Sequence, residues 1–346
     1  LVVHREEPLN CETSIGALVG GVVMPSARFY VRNHFSTPTL DPEAYELAVT
    51  GMVERPFRIR LRDLQNMPSQ SLVSTLECAG NGRAYFDPRV DGEQWHFGAA
   101  STAEWTGVPL VEILDRAGVT ADAHDVVFRG ADTGLVDGAT APVRFERALS
   151  VDDARNSGAL VAYAMNGETL PLQHGRPVRL IVPSWYSVAS VKWLTEIEVI
   201  GHRFEAYFQT DRYMYEWARD GAVIREPVRL QRVRSVIAEP SDGASVAGGG
   251  FVVRGVAWSG AAPIDRVEVS IGGGPWQAAR LIGERRRHSW QWWELLTHCE
   301  AAEKSGVSTV RARATDLAGC TQPERPEWNR LGYGGNGIQT ISITIE

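Results

Sequence analysis

An α+β first part followed by a β-sandwich is the architecture this sequence predicts, on three observations. Over residues 1–228, short apolar runs of strand length mix with short helical patterns, without the regular βαβ spacing of a parallel sheet. From about residue 229 to 346, alternating strands follow one another with Gly- and Pro-containing turns between them. Hydrophobic residues make up 44% of 346, enough for a large core and two or three domains. Pro227 and Pro240 bracket the junction, which gives domains at 1–228 and 229–346.

The elements follow in order. Residues 1–45 are proline-rich with little periodicity, and are expected to wrap over the surface before a strand at Tyr45–Gly51. Leu61-Arg62-Asp63-Leu64 reads as a short helix stopped before Pro68. Leu72–Leu76 is β-like. Val111–Ala117 reads as a helix with Pro109 at its start and Gly118 just past its end. Val126–Arg129 and Val178–Val182 read as buried strands, while Phe145–Leu149 and Ala159–Met165 flank turns. In the second part, Phe251–Trp258, Ile264–Ile271, Ser308–Ala314 and Ile338–Ile345 are strands, with clear alternation in Val267–Ile271 and Ile341–Ile345. In Trp290-Gln291-Trp292-Trp293, alternation puts Trp290 and Trp292 on one face and Trp293 on the other. Two aromatic faces imply that one is covered, by the first domain or by a partner.

Composition excludes several classes. A net charge of −7 argues against nucleic acid as a partner. No run approaches the roughly 20 apolar residues of a membrane span. The cysteines Cys11, Cys78, Cys299 and Cys320 form no Cys-x-x-Cys pair, which argues against zinc or iron–sulfur sites built on them. A disulfide framework is not expected at this density, though Cys299 and Cys320 pair if their strands are neighbours. The chain begins at Leu1 and shows no signal peptide, which leaves periplasm and cytoplasm both open.

Chemistry concentrates in Ser74-Thr75-Leu76-Glu77-Cys78-Ala79-Gly80-Asn81-Gly82-Arg83. One cysteine follows a strand-like run and opens a loop of small residues, where backbone can approach something bulky. Its soft sulfur suits a redox metal, and the arginine five positions on suits an oxyanion. The bland alternative is an inert cysteine at the end of a core strand.

Five segments, in order, decide between these. Leu76–Arg83 resembles the molybdenum-cysteine motif of the sulfite oxidase family. Phe29-Tyr30-Val31-Arg32-Asn33-His34-Phe35 resembles its cofactor segment. His174–Arg179 with Ile181-Val182-Pro183 and Val191–Leu194, then Gln209–Tyr213, then Trp328-Asn329 before Gly332, complete the set. The resemblance runs from about residue 8 to the end. It implies a bacterial-type molybdenum oxidoreductase with an immunoglobulin-like dimerisation domain.

By that resemblance Cys78 is the protein ligand to molybdenum, beside the dithiolene of molybdopterin. Tyr30, Arg32, Asn33, His34, Asp132, His174, Arg179, Ser190 and Lys192 are the expected pterin contacts. Arg32 and Arg83 are the expected sulfite-binding pair, Tyr213 the active-site tyrosine, and Trp95 a pocket tryptophan whose alternative is plain core packing. The implied reaction oxidises sulfite to sulfate, with electrons departing singly to a separate acceptor such as a c-type cytochrome. Neither end leaves length for a cytochrome b5-type haem domain, and no flavin or nicotinamide segment is legible. Two departures stand out. Vertebrate members carry an arginine directly before the glycine of the Trp-Asn motif, whereas here the order is Trp328-Asn329-Arg330-Leu331-Gly332, so Arg330 sits one place early and, as a candidate catalytic residue, either reaches the pocket by a local bulge or binds something else. They also carry an arginine where this chain has Gly82. A sulfane sulfur, a sulfoxide or nitrate therefore remain alternative substrates, and a non-catalytic binding protein on the same fold is the alternative class.

Overall fold

The computed structural model describes residues 1–248, 250–297 and 306–346; Cys299, and with it the expected Cys299–Cys320 pairing, lies outside them. The first part holds two five-stranded sheets. In one, Glu168–Thr169, Leu160–Met165, Ala100–Pro109 and Gln70–Glu77 lie side by side, with Arg179–Ile181 also pairing to Leu160–Met165. In the other the order is Phe57–Arg60, Glu46–Gly51, Leu194–Ile200, Asp125–Gly134, Val143–Ser150, and only the Glu46–Gly51/Leu194–Ile200 pair is parallel. The second part is a sandwich of a four-stranded sheet (Arg234–Glu239, Val252–Trp258, Gln291–Leu296, Arg280–Ile282) and a five-stranded one built on Ile264–Ile271, Gly306–Asp316 and Gln339–Ile345. The α+β reading holds.

Local chemistry explains the helices. Leu110–Ala117 buries Leu110, Ile113, Leu114 and Ala117, one face at helical spacing. Pro109 is its N-cap rather than its first turn, and Gly118 at φ +71° donates its amide to Leu114 O at 2.9 Å, ending the helix as a left-handed glycine does. Between the segments expected to flank turns runs the helix Val151–Asn156, capped by Ser150 Oγ accepting from the Asp153 amide; Phe145–Leu149 is the heart of the strand Val143–Ser150. Its i,i+4 apolar signal is too short to see in sequence, because a six-residue helix offers less than two turns.

The reading of residues 1–45 as a surface wrap is corrected. Strands Val2–Arg5, Asn10–Glu12 and Val31–Arg32 form a small sheet of their own. Leu18, Met24, Phe29, Tyr30 and Val31 are buried. Leu18 and Met24 pack with Phe97, Val236, Val256, Trp258 and Trp290, so this segment fills the seam between the two domains. The tryptophans obey the expected alternation: Trp293 sits in the sandwich core, while Trp290 faces the seam with half-buried Trp292 packed beside it. The chain's own first domain supplies the cover.

Candidate active site

The strand Gln70–Glu77 delivers Cys78 to the protein interior, where it is 5% exposed. Its amide donates to Ala99 O (2.9 Å) and its carbonyl accepts from the Asn81 amide (2.9 Å), so the loop after it is a tight turn. Gly80 leaves space there for a side chain that folds back. A Cβ at that position would lie 2.5 Å from Arg83 Nη1, so the glycine makes room for the guanidinium to fold back over the loop. Gly82 adopts φ +83°, and a Cβ on it would meet Gly335 O at 2.5 Å and Arg234 Nη1 at 3.1 Å. The departure at Gly82 thus has a local cause: the second domain's backbone and Arg234 occupy the space a side chain would need.

Two cavities meet at Cys78. The inner one is lined by Tyr30, Arg32, Asn33, His34, Asp132, His174, Arg179, Ser190 and Lys192 together with Cys78. Every residue expected to touch the pterin is therefore brought to one wall, from four separate stretches of chain. The outer cavity opens from Cys78, Arg32, His34 and Tyr213 past Arg83 and Tyr333 to Arg5, Arg212 and Arg330. Trp95 lines neither. It is fully buried in the cluster behind Cys78 with Trp105, Leu76 and Phe29, and packs edge-on to His4 at 4.8 Å. Core packing, the alternative weighed for it, is where the structure places it.

The inner wall is a cationic and polar lattice. Lys192 donates to Asn33 Oδ1 and, at 3.0 Å, to Gln173 O. Arg179 donates to His174 O (3.0 Å) and Ser190 O (3.1 Å) and lies over the Trp105 ring, so it braces two other lining residues. Ser190 Oγ accepts from the Val182 amide, and Tyr30 donates to Ser187 Oγ at 2.7 Å. Burial sets the protonation states. It lowers His174 to about 3 and His34 well below the ordinary imidazole value, with Lys192 and the neighbouring arginines pushing the same way, so both rings are neutral. Burial also lowers Lys192 far below its usual value. Asp132 is raised to about 6 by burial against the pull of Lys192, and its Oδ1 has no partner. A buried carboxyl oxygen without a partner, facing this cavity, is what a ligand with N–H donors would satisfy.

The substrate side is electrostatically graded. Arg212 pairs with Asp137 (3.0 Å), Arg5 with Glu93 (2.7 Å) and Arg330 with Glu216. Arg32 and Arg83, deeper in, have no carboxylate partner among the described residues. Arg83 is 6% exposed, donates only to the Glu93 and Leu331 carbonyls (3.0 and 3.3 Å), and leaves Nε unpaired. Burial pushes the Cys78 thiol up; Arg32 and then Arg83 pull it back. Tyr213 shares a 2.6 Å hydrogen bond with His34 Nε2. It holds φ +57° after the helical turn Tyr207–Asp211, a conformation rare for a tyrosine and enforced here by the packing around it. Burial raises its phenol, which stays protonated.

Three further residues escaped the sequence reading. Tyr333 stacks on Tyr213 (5.0 Å, 16° between planes) and lies under the Arg83 guanidinium at 5.3 Å. Asn329 builds the loop that presents it, accepting from the Tyr333 amide (3.0 Å) and donating to its carbonyl (2.8 Å). That is the physical content of the Trp-Asn motif here, and no local sequence signal marks Tyr333 as the residue it presents. Arg212 lay inside a quoted motif without being assigned. Arg330 lines the outer cavity, but its side chain is 61% exposed and its guanidinium turns to Glu216, so it is a rim residue.

Residues 34–208 match the oxidoreductase molybdopterin binding domain, and residues 226–346 match the Mo-co oxidoreductase dimerisation domain. The chain belongs to the sulfite oxidase family of molybdenum-cofactor oxidoreductases. It is 34% identical over its full length to mitochondrial sulfite oxidase of Macaca fascicularis, and spans 66% of that protein's length. It is 32% identical to sulfite oxidase of Arabidopsis thaliana, covering 96% of this chain and 91% of the plant protein. Among solved structures, the sulfane dehydrogenase SoxCD from Paracoccus pantotrophus matches with a TM-score of 0.83 and 29% identity, over 95% of this chain and 82% of that one. The inner cavity fits the family's cofactor. It offers one soft sulfur, many N–H donors and an unsatisfied carboxyl oxygen.

Proposed function

We propose that this chain oxidises sulfite to sulfate and passes the electrons to an external acceptor such as a c-type cytochrome, as a dimer formed through residues 226–346. Cys78 would hold molybdenum, and Arg32, Asn33, His34, Asp132, His174, Arg179, Ser190, Lys192 and Tyr30 would hold the pterin. When bound, the cofactor supplies the two-electron redox step and the exchange of oxygen with water. The rest is the protein's. The outer arginines, already paired with acids, draw an anion without trapping it. Arg32 and Arg83 then offer unpaired positive charge in a site removed from water, where such charge acts most strongly. Tyr213, kept protonated and backed by neutral His34, donates to an oxygen of the bound anion and stands ready to move a proton.

The observation that carries the reading is the pair of acid-free arginines beside Cys78. A second reading is favoured by a specific feature. With Arg330 engaged by Glu216, the innermost site has two free guanidinium groups, a looser hold on the three oxygens of the sulfite dianion and more room for a sulfane sulfur. The likeness to a sulfane dehydrogenase points the same way. Molybdenum quantitation and steady-state reduction of cytochrome c or ferricyanide, with sulfite and with a protein-bound sulfane as donors, decide between them. Full molybdenum with no sulfite-dependent reduction would remove sulfite; activity with the sulfane alone would install the second reading.

A further inference from the structure

Glu12 is 3% exposed, and no lysine or arginine lies within ion-pair distance of it among the described residues. Its Oε2 accepts from the backbone amides of His96 (3.0 Å) and Gly98 (3.2 Å). Its Oε1 faces two imidazoles, His4 Nε2 at 2.9 Å and His96 Nδ1 at 2.8 Å. Two ring nitrogens and a carboxylate oxygen thus converge, all within 4.8 Å of one another. None of the three residues lines the Cys78 cavities.

We propose that His4, Glu12 and His96 form a second metal site, for a divalent transition ion of the zinc type. A carboxylate taken out of water needs positive charge beside it. A divalent ion held by both ring nitrogens and the carboxylate oxygen would provide it. Two nitrogens and one oxygen form a borderline donor set that suits zinc, cobalt or nickel better than magnesium or calcium. Ligands of tetrahedral zinc stand about 3.3 Å apart for bonds near 2.0 Å, so the three atoms need to move by only about an ångström. The His96 and Gly98 amides on Oε2 hold the carboxylate in place, leaving Oε1 aimed at the two rings. Trp95, edge-on to His4, limits that ring's rotation. His96 is half exposed, which leaves water as the fourth ligand.

The site gives the ion a structural task. His4 sits in the strand Val2–Arg5, Glu12 in Asn10–Glu12, and His96 in the loop whose carbonyl accepts from the Gly82 amide at 2.6 Å. The ion clasps these three segments together. Arg5, next to His4, is thereby held at the mouth of the outer cavity, where it pairs with Glu93.

The test is cobalt titration of chelator-treated holoenzyme, read by visible absorption and by metal analysis. Wild-type protein is expected to take up about one cobalt per chain with the d–d bands of a nitrogen–oxygen site, displaced by zinc. His4→Gln and His96→Gln should each weaken uptake by about tenfold or more, with far-UV circular dichroism and molybdenum content checking that they fold. No uptake by wild type at millimolar cobalt would overturn the site. So would uptake that both variants retain unchanged, since an ion captured by Cys78 in cofactor-free chains would ignore these histidines.

Discussion

Glu77 and Arg234 form an ion pair across the domain seam, Oε1 to Nε 3.0 Å, at 0% and 1% side-chain exposure. Glu77 also accepts from Trp258 Nε1 (2.8 Å) and Asn81 Nδ2 (3.1 Å), while Arg234 donates to Asn81 O and Gly335 O. Glu77 directly precedes Cys78. The second domain therefore grips the cysteine loop itself, and a domain matched as a dimerisation module is also part of the site's scaffold.

Glu77→Gln is expected to leave Arg234 buried and uncompensated, at a cost of about 3–5 kcal/mol. Denaturant unfolding measures it. Because the loop loses its anchor, molybdenum content of the purified variant should fall as well. Wild-type stability with full molybdenum would show that the pair is not what holds the loop.

Cys78→Ser should fold and lose both molybdenum retention and sulfite turnover, since an alcohol keeps the size but not the soft donor. Circular dichroism, metal analysis and a steady-state assay read the three properties together. Turnover at the wild-type rate in folded Cys78→Ser protein would remove Cys78 as the ligand.

Arg83→Gln removes a charge that no carboxylate among the described residues neutralises. A charged hydrogen bond is worth about 1.5–3 kcal/mol, which corresponds to a loss of roughly ten- to a hundredfold in kcat/KM for sulfite. The loss should exceed any change in thermal midpoint expressed as free energy. Unchanged efficiency at low salt would take Arg83 out of the anion site.

How much of this was legible in the sequence depends on the range of the cause. The Cys78 loop, the helix ending at Gly118 and the alternation around Trp292 follow from local spacing, and the structure has them where the residues put them. The pterin wall was legible only because Arg32, Asp132, His174 and Lys192 fall in motifs that can be matched; nothing local makes them neighbours. The seam was not legible. Leu18, Met24 and Trp290 meet through three-dimensional packing with no periodic signal in residues 1–45, and Tyr333 reaches Tyr213 from 120 residues further along the chain. Trp95 misled because a tryptophan beside a site and one behind it look the same in sequence. Arg330 needed the structure to show that Glu216 had claimed it.

The Arg330–Glu216 pair gives a pH prediction. The hydrogen bond from Arg330, and Arg225 behind it at 3.1 Å, hold the Glu216 carboxyl below the usual carboxylate range. A depressed folded-state value means that the stabilisation is present above the ordinary carboxylate pKa and is lost as pH falls through the lowered one. Arg330 is mostly exposed, so Arg330→Ala should cost at most about 1 kcal/mol at neutral pH. The difference from wild type should vanish in acid, below the pKa of both carboxyl forms. Sulfite kcat/KM should change little, because the guanidinium is already engaged. A loss matching that of Arg83→Gln would place Arg330 in the anion site after all.

Trp290 tests whether the aromatic face belongs to the seam or to a partner. It is 3% exposed and packs with Leu18, Met24 and Phe97 of the first domain and Trp258 of the second. Truncating a buried tryptophan costs about 3–5 kcal/mol, through lost transfer energy and the cavity left behind. Trp290→Ala should lower unfolding stability by that amount at every protein concentration, because the contact is made within one chain. Light scattering across a dilution series should then give the same dimer-to-monomer midpoint for variant and wild type. A midpoint shifted by the substitution, with stability that depends on concentration, would mean that Trp290 is covered by a second copy rather than by the chain's own first domain.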